Sequence, residues 1–493
     1  MTAVATHRRP TWLRYVAVGV VATTLSITAL ALPSKLLLGL LAFLILGALI
    51  VRAKGDAVLV LLILVTTMAI VPANLTVSAL GSVGTPTVLL GLFAGVLWFV
   101  LWLAPSDVEE QHYRAIPLLL VVFVSAMVAS YAAAATRPKD ALEAAAADRG
   151  MLFVLAGVSA GLLAAECIRT RERLETLIKG IVLAGVGIAS VGIVQFLFGW
   201  DPATDIQVPG LTNTVDGALF VTERAEFRRV AGIMLHPIEF GVVMCMVLPL
   251  ALHLGFRRSR AWLLAAAVIA VAMPMSVSRT AALGVIALLI VLVPSWSRQV
   301  RRRFYAAVLA YLVTIRLLVP GLLNEMVSLF TEASSDPSVQ SRQVDYAYVT
   351  KFIEQRPVFG RGFGTFIPTR YDFLDNQYLL GLVETGYVGV AAFLVLIFGS
   401  IFVAGLIRSR AGDENDRSLA TALMASLLVV AVTSVAFDFM GFPTVRMLLF
   451  LLVGCVGALW RLYSRTGPDT DSPSADRAPA PSVVRPTLQR TGT

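Results

Sequence analysis

The feature that most constrains this chain is a train of long apolar runs, each about the length a helix needs to cross a bilayer. Fourteen can be read in order, at about 14–32, 36–51, 57–72, 86–104, 115–135, 150–166, 177–199, 231–255, 261–276, 280–295, 303–321, 378–407, 418–437 and 444–462. A helix rises about 1.5 Å per residue, so roughly 20 apolar residues span the ~30 Å hydrocarbon core. Within lipid the backbone must satisfy its own hydrogen bonds, and runs of this length do so as helices. Composition agrees: only 14% of residues are charged and 57% are hydrophobic, where soluble domains carry about 25% charged residues. The expected fold is an all-α polytopic membrane protein with about fourteen spans. The range is twelve to fourteen, because the short second and third runs, or the ninth and tenth, could instead form a re-entrant hairpin.

Basic residues orient the chain. With the N-terminus inside, Arg52/Lys54, Arg114, Arg169/Arg171/Arg173, Arg257/Arg258/Arg260, Arg298/Arg301/Arg302/Arg303 and Arg408/Arg410 all fall in loops on one side. The layout is then a cytoplasmic N-terminus at 1–13 and an eleven-span bundle at 14–321 with an outer loop at 199–230. A large extracytoplasmic loop at 322–377, three spans at 378–462 and a disordered cytoplasmic tail at 463–493 complete it. Arg8, Arg9 and Arg14 before an apolar run ending in Ala29-Leu30-Ala31 imitate a signal peptide, but the next apolar run follows at once, so an uncleaved helix is expected.

The net charge of +9 belongs to these orienting loops and does not indicate nucleic acid. Cys167, Cys245 and Cys455 all lie outside the large loop, so no disulfide framework is implied. Four histidines with no Cys/His cluster give no metal-ligand spacing. The sequence calls for no cofactor.

The large loop has its own grammar. Asp336-Pro337 is a helix start, and Val344, Tyr348, Phe352 and Ile353 recur near helical period. Pro357 disfavours helix at Arg356. These residues predict an amphipathic helix over 338–355 on the outer surface. The glycines at 360, 362 and 364 then turn the chain back toward the membrane; they follow no buried strand and open no nucleotide-binding unit.

Candidate chemistry gathers on the outer face. Arginine is disfavoured there, yet Arg228, Arg229, Arg279, Arg342, Arg356, Arg361 and Arg370 occupy it. Arg279 lies at a tight turn between two apolar runs, where an ionisable group is functional by default. Guanidinium groups suit phosphate oxygens; the bland reading is snorkelling or pairing with loop carboxylates. His236 and Glu239, near the outer end of the eighth run, suit a polar substrate or a structural pair beside a proline. Asp375 and Asn376 stand where the large loop meets the membrane. There Asp375 could take a proton from a sugar hydroxyl, or the two could simply cap a helix. Asp372 with Asp375 is a weak metal pair. Glu384 lies further into the span, before Gly386 and Gly389, and is costly there unless paired.

Arg229-Val-Ala-Gly232, His236-Pro237, Ser278-Arg279, Asp375-Asn376-Gln-Tyr378 and Glu384-Thr-Gly386-Tyr-Val-Gly389, in this order, resemble the O-antigen ligase and polymerase superfamily over roughly 229–389. The resemblance implies a metal-independent, inverting glycosyltransferase of the GT-C type in the bacterial cytoplasmic membrane. Its active site would face outward. Its partners would be a polyprenyl-pyrophosphate-linked glycan donor, a glycan or lipid acceptor and membrane lipids. By matched position Arg229, Arg279 and Arg342 would hold pyrophosphate, with His236, Arg361, Asn376 and Glu384 as further substrate contacts. Ligases of that family typically carry His-Asn where this chain has Asp375-Asn376, which favours a polymerase with Asp375 as base. Fourteen spans exceed the usual twelve. A transporter or flippase of a lipid-linked or anionic substrate is the alternative from another class, though charges here concentrate at one face. A structural protein whose outer loop binds a partner is a third.

Overall fold

A computed structural model describes residues 56–103, 114–201, 205–213, 222–224, 227–318 and 348–466, together with 321, 324 and 327. The first two apolar runs, most of the large loop with Arg342, and residues 467–493 lie outside the described residues.

Twelve α-helices fall on the apolar runs among the described residues: α1 (Ala57–Ile70), α2 (Pro86–Leu103), α3 (Ala115–Ala134), α4 (Ala141–Cys167), α5 (Arg171–Phe198), α6 (Pro237–Arg257), α7 (Ala261–Ala272), α8 (Arg279–Ser295), α9 (Arg298–Leu318), α10 (Gln377–Arg410), α11 (Glu414–Thr433) and α12 (Pro443–Thr466). Each corresponds to one of the apolar runs. Eight of them, α2 to α6 and α10 to α12, are long and apolar enough to cross a membrane; α1, α8 and α7 with the turn that follows it are apolar but shorter. Against the twelve to fourteen spans expected, the described residues hold these eight and three shorter apolar helices, and the first two apolar runs lie outside them. At about 1.5 Å per residue the 14 residues of α1 reach only some 21 Å. α9 is not among the eight: it opens on Arg298, Arg301, Arg302 and Arg303 and carries Arg316 in its last turn. The bundle is all-helical, as expected, and two short strand pairs accompany it: β1 (Leu75–Val77) pairs antiparallel with β2 (Leu211–Asn213), and β3 (Thr222–Arg224) with β4 (Phe227–Arg229).

Local chemistry sets the boundaries. Asp56, Asp140, Thr170, Ser278, Asn376 and Asp413 each accept a backbone N–H of the first turn that they precede, satisfying donors that the helix itself cannot. α6, α11 and α12 form the buried centre; α2 to α5 and α10 expose one face each. Large apolar side chains on the outside, such as Leu118, Leu183, Ile290, Leu309 and Phe402, are what a bundle solvated by lipid requires. α4 and α12 approach closely through small residues: a Cβ on Gly454 would lie 2.5 Å from the Gly161 carbonyl oxygen. Such contacts drive helix association where water cannot.

Candidate functional site

The site is built on the short segment between α11 and α12, residues 434–442, because four helix N-termini are bonded to it or to each other beside it. Thr280, in the first turn of α8, donates to the Ala436 carbonyl (3.2 Å). Gln377 opens α10; its N–H serves the Ser434 (2.9 Å) and Phe437 (3.2 Å) carbonyls, and its Oε1 accepts from Met440 N (2.6 Å). Thr444 N, at the start of α12, donates to Glu239 Oε1 in the first turn of α6 (2.7 Å). Helix N-termini carry partial positive charge and unsatisfied N–H groups, so their convergence favours an anion.

Three sequence candidates belong to this end. β4 delivers Arg229, whose Nε donates to the Ser276 carbonyl (3.3 Å), while Val230 N donates to Met275 O (3.3 Å). Buried Gln195 of α5 holds the following turn by accepting from Ala231 N (3.1 Å) and Gly232 N (2.8 Å). His236 is the N-cap of α6: its Nδ1 accepts from Ile238 N (3.2 Å), leaving the ring proton on Nε2, and its ring lies 5.9 Å from that of Phe442. Burial, and then the Arg229 charge, push its pKa down to about 4, so the imidazole is neutral at pH 7. Arg279 is the first residue of α8, just after the Ser278 cap. Val277 before it has φ 43° and is fully buried. A β-branched residue in the left-handed region is strained by its Cβ, and such strain collects where geometry matters.

Carboxylates face the same segment. Asn376 caps α10 by accepting from Tyr378 N (3.0 Å) and Leu379 N (3.1 Å), which fixes the backbone at Asp375 next to it. Asp438, which the sequence reading passed over, accepts from Gly441 N (3.1 Å). Burial first, and then the neighbouring charge of Asp375, push its carboxyl up to about 6, against the pull of Arg446 and the Gly441 bond. The signal available in the sequence was a lone Asp between two phenylalanines at the end of a span, weak by itself.

The large loop returns to the membrane against a broken helix. α10 is interrupted at Gly386 (φ 64°, ψ −168°). Tyr387 N and Val388 N donate to the Pro357 (2.8 Å) and Val358 (3.1 Å) carbonyls, and Arg361 N and Gly362 N donate to those of Val383 (2.9 Å) and Glu384 (2.7 Å). The freed backbone groups of the helix are thereby satisfied by the loop, the condition for irregular backbone at membrane depth. Both crossing points need glycine: a Cβ on Gly386 would sit 2.4 Å from Val358 O, and one on Gly360 2.3 Å from the Glu384 carbonyl. The Glu384 carboxylate accepts from Phe366 N (2.9 Å) and Gly364 N, so it anchors the glycine turn. A narrow cleft lies beside it, lined by Gln377, Tyr378, Glu384, Phe363, Phe393 and Met440 among others.

The loop arginines reach away from segment 434–442, to the turn between α3 and α4. Arg361 Nη2 bonds Tyr371 Oη (2.5 Å) and lies 3.5 Å from Glu143 Oε1, with its guanidinium 4.9 and 4.7 Å from the Phe352 and Tyr371 rings. Tyr371 Oη donates to Glu143 (2.6 Å), and Arg137 pairs with it too (2.6 Å). Arg356 donates to the Ala133 carbonyl (3.3 Å) at the end of α3, and Arg370 pairs with Asp140. Residues 348–355 are helical and stop before Arg356, as Pro357 dictates. Among the described residues no three His, Cys, Asp or Glu side chains are placed to hold a metal ion.

Residues 263–394 match a family model described as O-antigen ligase. The matched stretch runs from α7 into α10, so it takes in Arg279, Arg342, Arg361, Asp375, Asn376 and Glu384 and leaves out Arg229, His236 and Asp438. No curated protein matches the chain.

Proposed function

We propose that this membrane protein, which belongs through residues 263–394 to the O-antigen ligase family and acts in polysaccharide biosynthesis, is a glycan polymerase. It transfers a glycan from a polyprenyl-pyrophosphate donor to a sugar hydroxyl at the outer face of the cytoplasmic membrane. The observation that carries the reading is the gathering of four helix N-termini around a turn beside Asp375, with Arg279 at the first position of one of them and Arg229 next to the His236 cap of another.

In this reading Arg229 and Arg279, with Arg342, hold the pyrophosphate. Neutral His236 offers Nε2–H to one of its oxygens. The acceptor oxygen attacks the anomeric carbon of the donor sugar from the face opposite the pyrophosphate, and its proton passes to the Asp375 carboxylate. As the new C–O bond forms, the bond to the pyrophosphate oxygen breaks. The electron pair leaves on polyprenyl pyrophosphate, where arginines and helix N-termini stabilise the added charge. One displacement inverts the configuration and needs neither nucleotide nor metal. Asn376 aims Asp375 by capping α10; Arg361 and Glu384 hold the loop that carries it. An acid in place of the ligase histidine supports polymerase over ligase.

The test is purified protein with a lipid-linked oligosaccharide pool. Longer glycans still on polyprenyl lipid are expected; transfer to a different lipid makes the protein a ligase, and no glycosidic bond overturns the reading. Arg279→Ala should abolish product while the protein still inserts. Replacing a transition-state donor typically costs 10²-fold or more, so normal product from that variant would sink the arginine assignment.

A further inference from the structure

α12 carries a buried charge that the proposed chemistry leaves unused. Arg446 is 5% exposed, and its Nη1 donates to the Met440 carbonyl, across the turn that Asp438 caps. Its guanidinium lies 4.5 Å from the Phe153 ring of α4. Two carboxylates act on its charge, Asp438 and Glu239. Glu239 is fully buried and bridges Leu235 N (3.1 Å) and Thr444 N (2.7 Å), so it ties the start of α12 to the turn before α6. A cation withdrawn from water persists only where partners offset its desolvation. A brace for Met440 would need only a neutral donor. Of the two carboxylates, Glu239 is engaged by backbone N–H groups of Leu235 and Thr444, and Asp438 is the one in the turn beside Asp375.

We propose that Arg446 is a positioning residue of the transfer reaction: it holds the 438–441 turn in place and supplies the counter-charge for Asp438 beside the reacting groups. The inference rests on the glycan-transfer reading. Charges reach Asp438 from three packed elements: Asp375 ahead of α10, Glu384 within α10 and Arg446 on α12. Glu239 on α6 acts through Arg446. Neutralising Arg446 therefore leaves Asp438 facing Asp375 and Glu384 without that cation, and the proton it binds is held to higher pH.

The experiment is the pH–rate profile of glycan elongation by the full-length protein, with Arg446→Gln, Arg446→Lys and Asp438→Asn. Arg446→Gln should lower kcat about ten-fold or more at pH 7, with donor KM held within about two-fold, the pattern of a lost transition-state arrangement. It should also move a limb of the profile upward. Arg446→Lys, which keeps the charge, should leave the profile in place. In the Asp438→Asn background Arg446→Gln should shift nothing. A Gln variant that loses thermal stability but keeps kcat and profile makes Arg446 a mere brace and overturns the proposal. Should Arg446→Gln alone not accumulate, the double variant Asp438→Asn with Arg446→Gln decides: a profile identical to that of Asp438→Asn supports the counter-charge, and a further shift of the limb overturns it. A parent protein that forms no glycosidic bond overturns the underlying reading first.

Discussion

Asp438 and Glu384 show two ways for a carboxylate to be used at this end of the bundle. Glu384 gives its oxygens to backbone N–H groups of Phe366 and Gly364 and acts as a fastening for the loop. Asp438 bonds one N–H, of Gly441, and stays close enough to Asp375 for their charges to interact. Its carboxyl is raised from the ordinary 3.8 to about 6, so between those pH values the folded protein binds more protons than the unfolded chain. The sign follows: protonated Asp438 is at ease below pH 3.8, and stability falls as pH rises through about 6. Two pKa units correspond to about 3 kcal/mol at most. Asp438→Asn keeps an oxygen for Gly441 N and removes the charge. It should therefore melt higher than the parent at pH 8, with the difference shrinking toward zero at pH 4. A gap independent of pH would remove burial as the cause. Asp375, Arg279 and Arg229 were legible in the sequence because ionisable residues at apolar boundaries stand out. Asp438, Arg446 and the Arg137–Glu143–Tyr371 cluster were not, since their meaning comes from partners up to 228 residues away.

At the scale of elements, the broken α10 is the feature that sequence periodicity hides. Its apolar run is continuous and reads as one long span with Gly386 inside it, while the glycines at 360, 362 and 364 read as a turn. Gly360 and Gly386 are two sides of one crossing, where backbone meets backbone and a Cβ would lie 2.3 Å from the Glu384 carbonyl or 2.4 Å from Val358 O. Gly386 holds a φ/ψ combination essentially restricted to glycine, so alanine there meets conformational strain of about 1–3 kcal/mol in addition to the clash with Val358 O. Gly386→Ala should lower the melting temperature of the solubilised protein and expose residues 357–366 to protease. Elongation should fall with it, because that loop leads to Asp375. Gly389→Ala would press on Thr385, whose side chain lies 2.1 Å from the added carbon, within α10 itself. It should leave the loop protected, which separates loop release from general loss of packing. Equal protection in the parent and Gly386→Ala would mean the crossing does not hold the loop. By contrast, the short helix ending before Arg356 was readable from Pro357 alone, because that constraint is local.

The whole molecule is polar at two ends of different character. Among the described residues one end presents the N-termini of α6, α8, α10 and α12 with Arg229 and Arg279. The other is closed by ion pairs between helices: Arg171 with Asp416 (2.7 Å), Arg258 with Glu175 (2.5 Å) and Arg257 with Glu414 (2.6 Å). These join α5, α6 and α11, and His253 bonds Ser418 between α6 and α11 (2.9 Å). A transporter must open both ends in turn, and this belt would have to break on each cycle. A transferase keeps one end shut. Orientation is then decisive, because the flipped donor is available only outside. Single-cysteine variants settle it: Cys245 and Cys455 are buried, and Cys167 is replaced by Ser. Asp372→Cys, in an exposed position of the large loop, should react with an impermeant maleimide on intact cells. Ser259→Cys, exposed between α6 and α7, should react only after permeabilisation. The reverse pattern would place the convergent N-termini on the cytoplasmic side, where the basic loops ought to be. A site there would face nucleotide-linked sugars instead of flipped lipid-linked glycan, and the polymerase reading would fall with it.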